Sequence, residues 1–336
     1  MVKKLVNKYT EKMLKSAWEK ESVHKMLVMT IPAYIKASEC KKRFTKTGKV
    51  SVPVICVGNL TMGGTGKTPL SIMLAKEALK AGKNPFFLSR GYGGKLQGVL
   101  INNSIKYSSA DVGDEPLLLS RVAPVVINKN RYEGAKLAIN NGADFLIMDD
   151  GFQNYTLEKD FSFLVFDGRK GIENGFVLPA GPLREPFDTG LKRANAVVII
   201  RDDEKKLTDT IRSVSPDIPV FYADISFNQK DIEEIKGKKC LAMTALGNPE
   251  KFADSLKQIG VEIVKTDFFP DHHFYTEEEL RQVVNDAERE DLTIITTEKD
   301  AVKIPEKYLS KVKVMPIDIV FKDGQDIDKI KGLLHL

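Results

Sequence analysis

Cysteine is scarce in this chain. Cys40, Cys56 and Cys240 lie far apart and form no CxxC pair. That spacing argues against a zinc site or a disulfide framework and fits a reducing compartment. Long hydrophobic runs are missing too. The longest uncharged apolar stretch near the N-terminus, Met26 to Ile35, is about half of what a membrane span requires, and Pro32 interrupts it. It comes late and no small-residue cleavage site follows, so no secretory signal is expected. The guanine-reading N-K-x-D pattern is absent, because Lys299 and Asp300 are adjacent. Histidine occurs only four times, with two of the four side by side at His272 and His273.

What is present is an ordinary soluble composition, 42% hydrophobic and 29% charged, in 336 residues. That length favours two domains over one core. The net charge of +5 is unevenly spread. Residues 1–49 hold thirteen Lys/Arg against four acids, which makes that arm +9 and leaves the remainder at −4. One end of the molecule is therefore expected to meet an anionic surface. Leu5, Tyr9, Met13 and Ala17, widened by Leu14 and Trp18, form an apolar stripe at helical spacing beside Lys4, Lys8, Lys12 and Lys15. The arm reads equally as an interfacial helix on an anionic bilayer or as a helix packed on its own domain. A nucleic-acid arm is disfavoured, since aromatics are not interleaved with the basic residues.

The chain is organised around Val52 to Leu70. An apolar β-branched run, Val52 to Val57, reads as a buried strand. Thr61, Met62, Gly63, Gly64, Thr65 and Gly66 then form a turn, and Lys67-Thr68 opens an amphipathic helix. Strand, glycine-rich loop and helix make a phosphate-binding loop whose N–H groups converge on an anion. Lys67 is placed to reach the β/γ-phosphates and Thr68 to ligate Mg²⁺. Thr61 stands where the general pattern has its first glycine, so a strict G-x-x-x-x-G-K-[ST] search misses the loop.

Further acids follow. Val112 to Pro116 precedes a helix, with Asp114 and Glu115 near its start. Asp144 to Met148 reads as a strand that delivers Asp149 and Asp150 to its C-terminal end, where ligands sit in open α/β sheets and where phosphate-loop enzymes hold Mg²⁺. Arg90 lies in a glycine-rich loop, and Arg184-Glu185 sits between prolines in a stiff loop, 178–186. Ala196 to Ile200 is expected to be the last strand of the first sheet, with a hinge at Arg201 to Lys206. Beyond it strand and helix alternate again. Thr296 to Asp300 reads as a helix cap after a strand.

Taken in order, these motifs resemble the tetraacyldisaccharide 4′-kinase family, the lipid A kinases. The resemblance is carried by the phosphate loop with Thr61, Ser89-Arg90-Gly91-Tyr92-Gly93, Gly113-Asp114-Glu115-Pro116 and Asp149-Asp150-Gly151-Phe152-Gln153. It continues through Pro179 to Pro186, Asp271-His272-His273 and Thr297-Glu298-Lys299-Asp300-Ala301. It runs from about Val50 to about Lys303.

The resemblance implies a membrane-associated kinase that moves the γ-phosphate of ATP to the 4′-hydroxyl of an acylated disaccharide phosphate lipid. It places the protein peripherally on the cytoplasmic face of the inner membrane, with no nucleic acid and no obligate protein partner. The implied fold is α/β of the P-loop NTPase type, with a mostly parallel sheet, helices on both faces and a second smaller α/β domain. The expected division is an arm over 1–49, a kinase core over 50–205 and a second domain over 206–336. By resemblance Asp114 is the base, paired with His272 or its neighbour His273. Lys67 and Arg184 serve the transferring phosphate, Gln153 and Glu185 sit near it, and Arg90 contacts substrate. Mg²⁺ falls to Thr68, Asp149, Asp150 and Glu115. Two other readings are a kinase of a soluble metabolite and a membrane-bound NTPase switch with no phosphorylated product.

Overall fold

The computed structural model describes residues 16–102, 107–247 and 249–336. The stripe expected from Leu5 to Leu14 lies outside the described residues. A long helix, Glu21–Phe44, accommodates Pro32 and buries no residue fully. It rests on the body through Ile31 and Tyr34. The Tyr34 hydroxyl donates to the Arg184 carbonyl at 3.2 Å, and Trp18 Nε1 donates to the Pro179 carbonyl at 2.7 Å.

Two sheets follow. The larger is built from β1 (Val54–Gly58), β2 (Pro85–Ser89), β3 (Val99–Ile101), β4 (Val125–Ile127), β5 (Phe145–Asp149), β6 (Phe161–Asp167), β7 (Ala196–Ile200), β8 (Val220–Phe227) and β13 (Ile317–Phe321). Its order is β13-β8-β7-β6-β1-β5-β2-β4-β3. All neighbours are parallel except the edge pairs β8–β13 and β3–β4. Central strands read as unbroken apolar runs because helices cover both faces of the sheet. Alternate residues of β1 accordingly feed opposite cores. Ile55 and Val57 join Leu70, Leu74, Phe87 and Ile147, while Val54 and Cys56 join Leu88, Met148, Leu164 and Phe166. Each such buried side chain contributes about 1.5–3 kcal/mol.

The smaller sheet is β9 (Lys239–Thr244), β10 (Glu262–Phe268), β11 (Thr293–Thr297) and β12 (Val312–Met315), ordered β10-β9-β11-β12 and parallel throughout. The two units meet at Lys251, which ion-pairs Asp167 at the end of β6, and again at the site described below.

The strand membership departs from a division at residue 206. β7 is an interior strand, and β8 extends the same sheet from it. The chain then leaves for the small sheet and returns, so that β13 pairs with β8 and helix Asp326–Leu334 buries Ile330 and Leu334 in the large core. Alternation of strand and helix marks an α/β segment but carries no label for the sheet it joins. The segment 201–206 is thus a connection within the large sheet, in which the Arg201 amide donates to the Ala223 carbonyl at 2.8 Å.

Candidate active site

β1 ends at Gly58, where an added Cβ would stand 2.4 Å from Phe152 Cβ. The turn after it is held from outside. Met62 N donates to the Pro182 carbonyl at 2.9 Å, Arg184 N donates to the Leu60 carbonyl at 2.7 Å, and Thr61 bridges to Leu183. Thr61 has no left-handed backbone, unlike Gly63 and Gly66 at φ +94° and +95°. Threonine therefore fits where the general pattern has glycine, and its bridge to Leu183 uses an extended residue. Inside the loop Asn59 Nδ2 donates to the Thr61 carbonyl at 2.7 Å and to Thr65 Oγ1 at 3.3 Å. Gly66 then starts helix Lys67–Lys80, adding the positive helix end to the loop amides.

Across the β1–β5 pair the acids arrive as expected. Thr68 Oγ1 donates to Asp149 Oδ2 at 3.2 Å and Ser71 Oγ donates to Oδ1 at 2.8 Å. Asp149 is buried, and burial together with the Glu115 charge pushes its carboxyl up to about 7. Asp150 sits in a left-handed turn at φ +50°. It meets Arg184 Nη1 at 2.8 Å and Lys67 Nζ at 3.7 Å. Burial raises its pKa, but these two cations outweigh that and hold it below the usual range. The adjacent acids thus divide, one beside the Thr68 hydroxyl and one among cations.

The second unit closes the cleft. His272 Nδ1 lies 2.8 Å from Asp114 Oδ2, and since an ionised carboxylate only accepts, the imidazole N–H is the donor. His273 turns instead to Glu279 at 2.9 Å. Of the two histidines, His272 is the one against Asp114. Asp114 is buried and its Oδ1 has no partner among the described residues, so one carboxylate oxygen is left to receive a proton or a ligand. Next to it Glu115 meets Lys299 of the second unit at 3.2 Å, and that charge holds the Glu115 carboxyl low. Gln153 links the groups. Its Nε2 donates to the Asn59 carbonyl at 2.9 Å and to Glu185 at 3.0 Å, while its Oε1 lies 3.4 Å from Arg184 Nη1. Glu185 is buried and pairs with Arg193, whose guanidinium stacks 4.3 Å from the Phe152 ring. It therefore braces Gln153 from behind.

Arg90 stands apart. It is exposed and makes no ion pair among the described residues. Among the described residues, no three His, Cys, Asp or Glu side chains converge as a metal cage. The donors Thr68, Asp149 and Glu115 are hard oxygens, the set Mg²⁺ takes when it keeps waters and binds through one or two carboxylates plus phosphate. They fit Mg²⁺ in that form.

Sequence reasoning missed Ser71, Lys299, Arg193 and Asn59. Ser71 was findable, because a residue three after Thr68 shares its helix face. Lys299 reaches the site from a segment distant in sequence, and no local pattern announces that.

Known proteins resemble this chain over most of its length. The family model "LpxK: Tetraacyldisaccharide-1-P 4'-kinase" matches residues 25–334. A tetraacyldisaccharide 4'-kinase of Gluconobacter oxydans is 42% identical over 303 residues, covering 90% of this chain and 91% of that one. One from Rhodospirillum centenum is 39% identical over 298 residues, covering 89% and 88%. The crystal structure of LpxK from Aquifex aeolicus in complex with ATP superposes with a TM-score of 0.72 at 28% identity, over 94% of this chain and 100% of that chain. The family model spans residues 25–334 and relatives about 40% identical cover most of the chain, so the chain belongs to the tetraacyldisaccharide-1-P 4'-kinase family.

Proposed function

We propose that this protein transfers the γ-phosphate of ATP to the 4′-hydroxyl of a tetraacyldisaccharide 1-phosphate, with Mg²⁺, at the cytoplasmic face of the inner membrane. Family membership supports the reaction. The observation that carries the assignment of residues is the Asp114 Oδ1 left without a partner among the described residues, its other oxygen held by His272, next in sequence to Glu115, which feels the Lys67 charge. A sugar hydroxyl is a poor nucleophile and needs a base near it. Asp114 Oδ1 accepts its proton as the oxygen attacks the γ-phosphorus, the bond from that phosphorus to the β,γ-bridging oxygen breaks and ADP leaves, and His272 keeps the carboxylate aimed. The loop amides, Lys67 and Arg184 neutralise charge on the phosphates, which is most of what phosphoryl transfer requires. Thr68, Asp149 and Glu115 would hold Mg²⁺, which would supply positive charge to offset that of the phosphates. Asp150 orients Lys67 and Arg184 by pairing with both. Incubation with Mg²⁺-ATP and a tetraacyl disaccharide monophosphate should yield, by mass spectrometry, a lipid bearing one added phosphate. Release of inorganic phosphate alone would refute the reading.

A peripheral bilayer contact is supported by helix Glu21–Phe44. It exposes Met26 and Met29 on one face and carries Lys41, Lys42 and Arg43 in its last turn. No helix among the described residues is long and apolar enough to cross a membrane. Cosedimentation with anionic vesicles should weaken in a Met26→Ser/Met29→Ser variant and in high salt. Equal sedimentation of variant and wild type would remove this helix from the contact.

A further inference from the structure

Asp300 has no place in the chemistry above, yet it is fully buried and its carboxylate has several partners. Its Oδ2 accepts from Thr244 Oγ1 at 2.6 Å and from Thr297 Oγ1 at 2.8 Å. Its Oδ1 accepts from the Ala245 amide at 3.1 Å and meets Lys303 at 2.7 Å. Thr244 ends β9 and Ala245 follows it, and their carbonyls hold the histidine turn. The Phe269 amide donates to the Thr244 carbonyl at 2.9 Å, and the His272 amide donates to the Ala245 carbonyl at 3.1 Å. His272 itself sits at φ +56°, a left-handed conformation that a non-glycine residue keeps only when its surroundings over-determine it. The turn Thr297 to Asp300 sends Lys299 across the cleft to Glu115, next to Asp114.

We propose that Asp300 is a positioning residue of the kinase: by gripping Thr244 and Ala245 it fixes the turn that sets the His272 imidazole against Asp114. It touches neither substrate nor nucleotide and acts through two backbone carbonyls. The chemical logic is that of a buried carboxylate satisfied by several donors, which makes a rigid junction where a threonine or amide alone would pivot. The catalytic purpose given to Asp300 rests on the Asp114–His272 reading above.

The test is a double-mutant cycle in the full-length protein with the tetraacyl disaccharide monophosphate as acceptor. Asp300→Asn should lower kcat about tenfold, a fraction of what a whole acid–base group contributes, with KM for ATP unchanged. In a His272→Ala background the same substitution should change kcat by less than about twofold, because its effect passes through the imidazole. Nitrogen NMR of the ring of His272 gives a readout independent of turnover. Its signal should move in Asp300→Asn, while that of His335 stays. Thr244→Val removes one donor and leaves the Lys303 pair. It covers the case in which Asp300→Asn fails to fold, and should move kcat and the His272 signal in the same direction by less. A full multiplicative loss in the His272→Ala background, or an unmoved His272 signal, overturns the positioning role. Unaltered turnover in His272→Ala overturns instead the dyad reading, and with it the catalytic purpose assigned to Asp300.

Discussion

Thr68 and Asp149 meet across the β1–β5 pair, hydroxyl to carboxylate at 3.2 Å, although 81 residues separate them. The parallel register aligns Val57 with Asp149, so the loop leaving one strand and the acid ending its neighbour must emerge side by side. The candidate site follows from that adjacency. Ligands gather at the carboxyl end of such strands, and here the second unit supplies the opposite wall through His272 and Lys299.

The loop glycines separate fold from ligand. Gly66 holds φ +95°, and a Cβ there would stand 2.3 Å from Ile200 Cδ1. Gly64 has no left-handed backbone, and its Cβ would meet nothing within 4 Å. Gly66→Ala should therefore destabilise the nucleotide-free protein by about 1–3 kcal/mol, whereas Gly64→Ala should stay within about 0.5 kcal/mol. Thermal melting without ATP checks both. Equal melting of the two variants would refute the strain at Gly66.

Asp149 makes stability depend on pH. Its folded pKa is raised to about 7, chiefly by burial and then by Glu115. The unfolded carboxyl titrates near ~3.9. Between those values the folded chain holds a proton that the unfolded chain has lost, so this group lowers stability as pH rises from about 4 to about 7. The slope is at most about 1.4 kcal/mol per pH unit. In metal-free buffer Asp149→Asn should melt higher than wild type near neutral pH and converge with it near pH 4. A constant difference across that range would contradict the assignment. Mg²⁺ binding requires the carboxylate, so it should tighten as pH rises through about 7.

Arg193 and Glu185 predict a structural cost with a catalytic echo. Glu185 is 8% exposed at its side chain and Arg193 is 23% exposed. Breaking a buried pair by removing one partner costs about 3–5 kcal/mol. Arg193→Ala should cost rather less, about 2–3 kcal/mol, because the Arg193 side chain is partly solvated. Denaturant melts check this. Arg193→Ala in a Glu185→Gln background should cost less than in wild type, since no charge is then left unpaired.

Much of the site was legible locally. The strand from Val52, the glycines before Lys67 and the acids after Met148 are contiguous patterns, and each reports a conformation that its own residues require. His272 could not be told from His273 in the sequence, because the choice depends on a left-handed turn anchored to β9. Nor could β8 and β13 be assigned to the large sheet. Their pairing is decided by a chain that leaves for the small sheet and comes back. Glu115 was readable as an acid near a helix start, but its counter-charge Lys299 lies 184 residues away on the other unit. Long-range electrostatics has no period in sequence, and that is where reading it stopped.

The central claim is that Asp114 takes the proton of the acceptor hydroxyl while the phosphate loop holds the triphosphate. Single-turnover phosphoryl transfer by Asp114→Ala, measured together with its ATP dissociation constant, tests it most directly. Transfer should slow by at least about a hundredfold, with ATP affinity nearly intact because Lys67 and the loop are untouched. Wild-type transfer in Asp114→Ala, or loss of ATP binding in step with rate, would contradict the account.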